Sequence, residues 1–157
     1  MIVRKGEKED LHKVYDLILE LAVYEKARHE VKTSIKEMEE DGFGPNPVFG
    51  FHVAENNEGI IGMSLYYYRY STWKGKILYI EDLIVTEKYR RSGIGTKLME
   101  AAIEEAKLQQ CKGVHWQVLE WNEPAIEFYK KYDPELDDEW INFRINKDQF
   151  DTYNSIS

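Results

Sequence analysis

The chain contains a single cysteine, Cys111, among its 157 residues. One cysteine cannot form a disulfide within the chain, so a disulfide-stabilised secreted scaffold is excluded. No uninterrupted apolar run approaches the roughly 20 residues that a membrane-spanning helix requires. The first ten residues, MIVRKGEKED, also lack the apolar segment of a signal peptide. We therefore expect a reduced, cytoplasmic protein, and the length favours one domain over residues 1–157.

Positive charge is scarce relative to negative charge. The sequence holds 21 lysines and arginines against 29 aspartates and glutamates, which gives a formal net charge of −8 at pH 7. This balance argues against nucleic acid and anionic membranes as partners, and it favours a small cationic substrate. A requirement for ordinary solubility would explain the same charge equally well.

Several common catalytic signatures are absent. The glycines match neither the G-x-x-x-x-G-K-[ST] spacing of a P-loop nor the G-x-G-x-x-G spacing of a dinucleotide fold. Cys111 has no adjacent base, and the histidines lack the spacing of metal ligands. The histidines are His12, His29, His52 and His115. Metal-dependent and thiol-dependent catalysis are therefore poorly supported, and we expect no metal site.

The most informative stretch covers residues 77–96, ILYIEDLIVTEKYRRSGIGT. An apolar run rich in β-branched residues precedes a charged turn with two glycines and then apolar residues at helical spacing, which predicts a strand, a tight loop and a helix. Gly93 and Gly95 allow positive φ and close approach of a partner. The first amides of the helix, with Arg90 and Arg91 nearby, suit a phosphate or pyrophosphate. A G-x-G pair alone is a weak signal, since glycine at such a turn is often only a turn.

Hydrophobic periodicity predicts the remaining elements. Helices are expected at residues 9 to about 26 and at residues 33–40, the second capped by Thr33 or Ser34 and closed by Gly42. Asn122 as N-cap and Pro124 in the first turn predict the start of a further helix. The other expected strands are a short edge strand at residues 2–3, residues 51–54, 60–70, 113–119 and a last strand at 140–145.

Two acidic residues, Glu81 and Asp82, interrupt the apolar strand at residues 77–85. Neighbouring residues of a strand point to opposite faces, so only one of them need face a cleft. A charged side chain that is buried without a partner is costly. An ion pair at the rim of the sheet, with Arg69 or Lys74, is the structural alternative to a functional role.

Three segments resemble a known family. Arg90, Gly93 and Gly95 match R-x-x-G-x-G/A, with which the GNAT N-acetyltransferase superfamily binds the pyrophosphate of coenzyme A. The phrases YSTWKGKILYIEDLIV, GIG and WNEPAIEFYKK are similar to the spermidine/spermine (diamine) and thialysine N-acetyltransferase branch. The resemblance extends from residue 2 to about residue 150. It departs at residues 132–134, YDP, where related enzymes usually have a glycine-alanine turn.

The resemblance implies a fold and an activity. The implied fold is α/β, a GNAT-type mixed, mostly antiparallel central sheet of six to seven strands with helices on both faces. The implied activity is acetyl-CoA-dependent N-acetylation of a small primary amine, a polyamine or a thialysine-like ε-amine, by a homodimer. Acetylation of protein lysines or N-termini by the same machinery is an alternative. A catalytically silent coenzyme A-binding module is disfavoured because Glu81 and Tyr129 are both present, and a structural module that dimerises through its tyrosines is a third class.

The resemblance also assigns roles to residues. Glu81 is implied to be the general base, through water, and Tyr129 the acid that protonates the departing thiolate. The amine is implied to contact Tyr24, Glu25, Glu81 and Asp82. Taken from the residues alone, Tyr24 and Glu25 fit a solvated helix end equally well, and Tyr129 fits an ordinary helix tyrosine. The implied coenzyme A contacts are Leu83, Ile84, Val85, Arg90, Arg91, Ser92, Gly93, Ile94, Gly95, Thr96, Asn122, Glu123, Pro124 and Tyr129.

Overall fold

The computed structural model describes residues 1–153. The chain divides into two compact units, Met1–Gln117 and a second unit that begins at Val118. The first unit contains β1 (Ile2–Lys5), α1 (Leu11–Tyr24), α2 (Ile35–Phe43), β2 (Gly50–Asn56), β3 (Gly59–Ser71), β4 (Gly75–Val85), α3 (Ile94–Leu108) and β5 (Gly113–His115). The second contains α4 (Glu123–Lys130). No helix within residues 1–153 is both long and apolar enough to cross a membrane. The expectation of one domain stays a prediction.

The strands lie side by side in the order β1-β2-β3-β4-β5. The first four pair antiparallel with their neighbours, and β5 runs parallel to β4. The predicted mixed, mostly antiparallel sheet is confirmed. The predicted count of six to seven strands is wrong, because residues 1–153 form a sheet of five.

The strand predicted at residues 140–145 is not formed. Its apolar residues do alternate, yet the side chains of Ile141 and Phe143 are 81% and 92% exposed. Residues with an alternating pattern form a strand only where a neighbouring strand can hydrogen-bond to them and a core can bury their apolar side chains. The strand predicted at residues 113–119 is likewise shortened to the three residues of β5.

Helices cover both faces of the sheet. On one face, α1 and α2 pack on a core that includes Val14, Met38 and Val53. On the other face, Leu98 of α3 packs in a cluster with Ala54. Val53 and Ala54 are consecutive in β2 and therefore point to opposite faces, which is how one strand serves both cores.

The end of α2 differs from the prediction. Ser34 is its N-cap, as expected, and its hydroxyl accepts a hydrogen bond from a backbone amide at 3.1 Å. The helix continues past Gly42 to Phe43, and the Gly44 amide still donates to the Glu40 carbonyl at 3.1 Å. Gly42 instead makes room for an aromatic ring, because a Cβ there would lie 2.5 Å from the ring of Phe49.

Gly62 of β3 allows α3 to lie close to the sheet. An added Cβ would lie 2.9 Å from the Ile84 carbonyl oxygen and 3.2 Å from the Leu98 side chain. Because the nearer atom belongs to the backbone, we expect Gly62→Ala to lower the free energy of unfolding by about 1–3 kcal/mol. Gly113→Ala is the control, since its Cβ would make ordinary contacts from 3.5 Å. Urea denaturation measures both, and equal losses would contradict the packing argument.

Candidate active site

A β-bulge in β4 sets the position of Glu81. Leu65 pairs with Asp82, whereas the next residue of β3, Tyr66, pairs with Ile80, so the β3–β4 ladder leaves Glu81 without a cross-strand partner. A bulge adds one residue to a strand and changes the direction of the side chains around it. The simple alternation expected for Glu81 and Asp82 is therefore interrupted here.

Beside this bulge, the Asp82 carboxyl lies within electrostatic range of two others, those of Glu81 and Glu25. Burial, with smaller contributions from the charges of Glu81 and Glu25, raises the pKa of Asp82 to about 7. Glu25 is the C-cap of α1, and burial raises its pKa as well. We call Glu25, Glu81 and Asp82 the acidic cluster. The structural alternative was an ion pair of Glu81 or Asp82 with Arg69 or Lys74 at the rim of the sheet. Within residues 1–153 neither Arg69 nor Lys74 forms an ion pair with the cluster, so this alternative is wrong.

Two tyrosines flank Glu81. Tyr67 and Tyr79 are partners across β3 and β4, with ring centroids 5.4 Å apart. Burial and the charge of Glu81 raise the pKa of both hydroxyls, and the Tyr67 hydroxyl also interacts with the Glu81 carboxylate by a hydrogen bond. A neutral phenol in this place can donate a hydrogen bond to the carboxylate. Sequence reasoning considered the tyrosines as a dimerisation surface and did not assign Tyr67 to the site. The alternation of side chains along β3 was the signal that could have placed it there.

The loop after β4 has the left-handed turn that its sequence predicts at Gly93, whereas Gly95 has no positive φ and lies within α3. Gly93 is the N-cap of α3 with φ 84°, and Arg91 is also left-handed, with φ 64°. The first hydrogen bond of α3 runs from the Lys97 amide to the Gly93 carbonyl at 3.2 Å. The amides of Ile94 and Gly95 therefore precede the helical ladder, at the positive end of the helix dipole. A Cβ on Gly93 would meet no atom within 4 Å, so the space beside this turn is open.

Arg90 is held against the rest of the first unit. Its Nε donates to the Val85 carbonyl at 2.9 Å, and a terminal nitrogen lies 3.6 Å from a carboxylate oxygen of Glu20. Its guanidinium carbon lies 5.4 Å from the ring centroid of Tyr24. The structure thus brings the loop residue Arg90 and the predicted amine-site residue Tyr24 together.

Glu20 of α1 is a residue that sequence reasoning missed. Its carboxylate accepts hydrogen bonds from the Thr86 hydroxyl at 2.9 Å and from the Glu87 amide at 3.0 Å. Glu20 lies one helical turn before Tyr24, on the same side of α1. This spacing was the signal that could have placed Glu20 near the predicted amine site. One carboxylate therefore joins α1 to the start of the loop.

The last residues of β4 present backbone groups along one edge. β5 pairs with β4 only as far as Tyr79. The Thr86 amide donates to the Ile61 carbonyl on the β3 side at 2.9 Å, so alternation directs the backbone groups of Leu83 and Val85 to the other edge. No strand within residues 1–153 pairs with that part of the edge.

The remaining predicted residues lie in the second unit. Asn122 is the N-cap of α4, and its side-chain oxygen accepts from the Ala125 amide at 3.4 Å. Pro124 lies in the first turn after Glu123, so the predicted helix start is confirmed. Tyr129 lies on the same helix. The roles of these residues at coenzyme A stay predictions.

The raised pKa of Asp82 predicts how stability depends on pH. Its pKa is about 7 in the folded protein against an ordinary value of 3.8, so the folded state binds more protons between these values. The free energy of unfolding should therefore fall as pH rises through this window. We expect Asp82→Asn, which has no proton to lose, to be more stable than the parent by about 1–3 kcal/mol at pH 8, with a smaller difference at pH 4.

Urea denaturation at both pH values measures this difference. Asp10 is the control, and its replacement should change the free energy of unfolding in the opposite direction, because its hydrogen bond with Arg4 lowers its pKa. Asp10→Asn should lose stability at pH 8. A parent and an Asp82→Asn variant with the same pH dependence would show that the Asp82 carboxyl ionises as it does in the unfolded chain.

Comparison with known proteins agrees with this geometry. The model of the Acetyltransferase (GNAT) family matches residues 11–133. Thialysine N-epsilon-acetyltransferase of Mus musculus is 37% identical over 154 residues, which cover 91% of each chain. Spermidine/spermine N(1)-acetyltransferase-like protein 1 of Homo sapiens is 32% identical over 157 residues, 94% of this chain but only 23% of that protein.

The fold is shared with solved structures at lower identity. The integron cassette protein VCH_CASS6, from the mobile metagenome of V. cholerae, has a TM-score of 0.78 and 19% identity, covering 98% of this chain and 97% of that chain. Together with the family match and the curated relatives, the acidic cluster and the loop before α3 lead to one conclusion: this chain belongs to the GNAT family of acetyltransferases and is an amine N-acetyltransferase.

Proposed function

We propose that the protein transfers the acetyl group of acetyl-CoA to a small primary amine, either a polyamine or a thialysine-like ε-amine. The observation that carries the proposal is the acidic cluster beside the bulge of β4, in the same compact unit as the glycine loop. Carboxylates attract a cationic amine, and free helix-start amides attract a phosphate. The similarity to thialysine and spermidine/spermine acetyltransferases supports this class of acceptor.

The residues of the first unit fit the donor. The pyrophosphate would lie at the loop from Arg90 to Thr96, where the space beside Gly93 is open. The extended arm would lie along Leu83, Ile84 and Val85, whose outward edge no strand within residues 1–153 covers. From the second unit, we propose contacts by Asn122, Glu123, Pro124 and Tyr129. When bound, acetyl-CoA supplies an acetyl group that is activated as a thioester.

The acidic cluster fits the amine. Two of its members, Glu25 and Asp82, have pKa values raised by burial, so an unoccupied cluster favours holding a proton. An ammonium group bound there would replace that proton and stabilise the carboxylates. The C-terminal end of α1, next to Tyr24 and Glu25, adds the negative end of a helix dipole. Tyr24 would contact the aliphatic part of the amine.

Proton movement is the chemistry that the side chains contribute. An alkyl ammonium of the lysine type has a pKa near 10.4 and must lose a proton before it can attack. We propose that the Glu81 carboxylate accepts this proton through a water molecule, while Tyr67 holds the carboxylate in place. The Tyr129 hydroxyl would deliver a proton from Oη to the leaving thiolate.

The assembly and location are also proposals. We propose that the protein is cytoplasmic and that it forms the homodimer that its resemblance to the family implies. Two aromatic side chains at the β3–β4 turn support a protein–protein surface, since Tyr70 and Trp73 are 77% and 92% exposed.

Release of free thiol from acetyl-CoA in the presence of polyamines, ε-amines, peptides and protein N-termini tests the function. We expect small amines to be acetylated, with kcat lowered about 10²- to 10⁴-fold by Glu81→Gln or Tyr129→Phe. Calorimetry should find coenzyme A binding largely retained in both variants, since Tyr129→Phe removes only the hydroxyl group. If only peptides or protein N-termini were acetylated, the proposed small-amine acceptor would be wrong and a protein acceptor would take its place. A single-turnover rate in folded Tyr129→Phe within twofold of the parent would remove Tyr129 from catalysis.

Gly93→Val tests the cofactor loop. A β-branched residue resists φ 84°, and its side chain would enter the open space assigned to the pyrophosphate. We expect a Kd for coenzyme A at least about tenfold weaker, measured by calorimetry. Gly59→Val is the matched control, because Gly59 has φ 110°, no neighbour within 4 Å of an added Cβ, and a place in the distant β2–β3 turn. Equal coenzyme A affinity in the two folded variants would show that the loop is not the site.

A further inference from the structure

Arg69 places a positive charge on the same face of the sheet as the tyrosines that flank Glu81. Tyr68 points to the α3 face, where its hydroxyl lies 3.4 Å from a carboxylate oxygen of Glu105. Its neighbours Tyr67 and Arg69 therefore point to the opposite face. The guanidinium carbon of Arg69 lies 4.7 Å from the ring centroid of Tyr79, over the ring. The side chain thus leans along the sheet toward the bulge.

Tyr79 connects Arg69 with Glu81. The charge of Glu81 raises the pKa of the Tyr79 hydroxyl, and the charge of Arg69 lowers it. One ring therefore senses the charges of both groups. Tyr79 and Glu81 are two residues apart in β4, which is roughly 7 Å of strand.

The charges around Glu81 are arranged with opposite signs at the two ends. The carboxylates of Glu25 and Asp82 lie with Glu81 in the acidic cluster. On the other side stands Arg69, and within residues 1–153 no carboxylate lies within ion-pair distance of its guanidinium. The turn from residue 69 to residue 76, RYSTWKGK, contains no acidic residue that could neutralise it.

We propose that Arg69 binds a carboxylate of the acceptor, so that the preferred acceptor is an amine that also carries a carboxylate, such as an amino acid with a side-chain amine. This inference rests on the proposed function. A guanidinium presents paired donors that match a carboxylate, and stacking on Tyr79 holds it in one orientation. A polyamine would instead place a distal ammonium beside Arg69, where like charges repel.

L-Lysine and L-lysinamide form the decisive substrate pair, because they share both amino groups and differ only in the carboxylate. The measured quantity is the ratio of kcat/KM for lysine to kcat/KM for lysinamide, from thiol release with acetyl-CoA. We expect the parent to favour lysine, and Arg69→Gln to lower the ratio about 10- to 100-fold, the loss typical of a charged hydrogen bond. Arg69→Lys, which keeps the charge but not the planar donors, should restore part of the ratio.

Lys76→Gln is the matched control. It removes a positive charge from the same β3–β4 hairpin, but the Lys76 ammonium lies 5.6 Å from the ring centroid of Tyr68, on the α3 face. We expect the ratio in this variant to equal that of the parent. Circular dichroism establishes that each variant is folded.

The outcomes separate this inference from the proposed function. Turnover of amines with a ratio that Arg69→Gln leaves unchanged would overturn the role of Arg69 while the proposed function stands. A parent that prefers lysinamide and polyamines over lysine would overturn it as well. If no amine releases thiol, the proposed function fails and the inference falls with it. A ratio lowered by Arg69→Gln and kept by Lys76→Gln supports it.

Discussion

The arrangement of the candidate active site depends on one residue that the β3–β4 ladder leaves unpaired. Leu65 and Tyr66 are consecutive in β3, yet their partners in β4, Asp82 and Ile80, have Glu81 between them. In a regular strand, Glu81 and Asp82 would diverge to opposite faces, and one carboxylate would be separated from the other by the sheet. The bulge keeps the charge of Glu81 in range of Asp82, and burial opposes the ionisation of Asp82 and of Glu25.

The stretch from β4 to α3 was predictable because each of its signals is local. An apolar β-branched run, a turn with glycines and a helical repeat depend on neighbours a few residues away, and the left-handed Gly93 is what such a turn demands. Asn122 and Pro124 predicted the start of α4 for the same reason. The assignment of Glu81, Asp82 and Glu25 to one site came from resemblance to a family, whereas the charge coupling among them comes from the structure.

The predictions that were wrong or missing concern interactions beyond the nearest few residues of the chain. The alternation at residues 140–145 resembles that of a real strand, but a sequence pattern does not supply the neighbouring strand that would bury Phe143. Gly42 resembles a helix stop, yet it accommodates the ring of Phe49 and the helix continues. The bulge at Glu81 was beyond prediction because a register shift is a relation between two strands. Arg69 was considered only as an ion-pair partner, because nothing local shows that it stacks on Tyr79.

The carboxylate of Glu20 connects two parts of the first unit, α1 and the start of the loop before α3. It accepts from Thr86 and Glu87 at the start of the glycine loop, and it belongs to the helix that ends in Tyr24 and Glu25. In the proposed enzyme these are the donor side and the acceptor side. A ligand that restrains one side therefore reduces the conformational entropy that the other loses on binding. The two substrates would then bind in a thermodynamically cooperative way, with the first to arrive improving the affinity for the second.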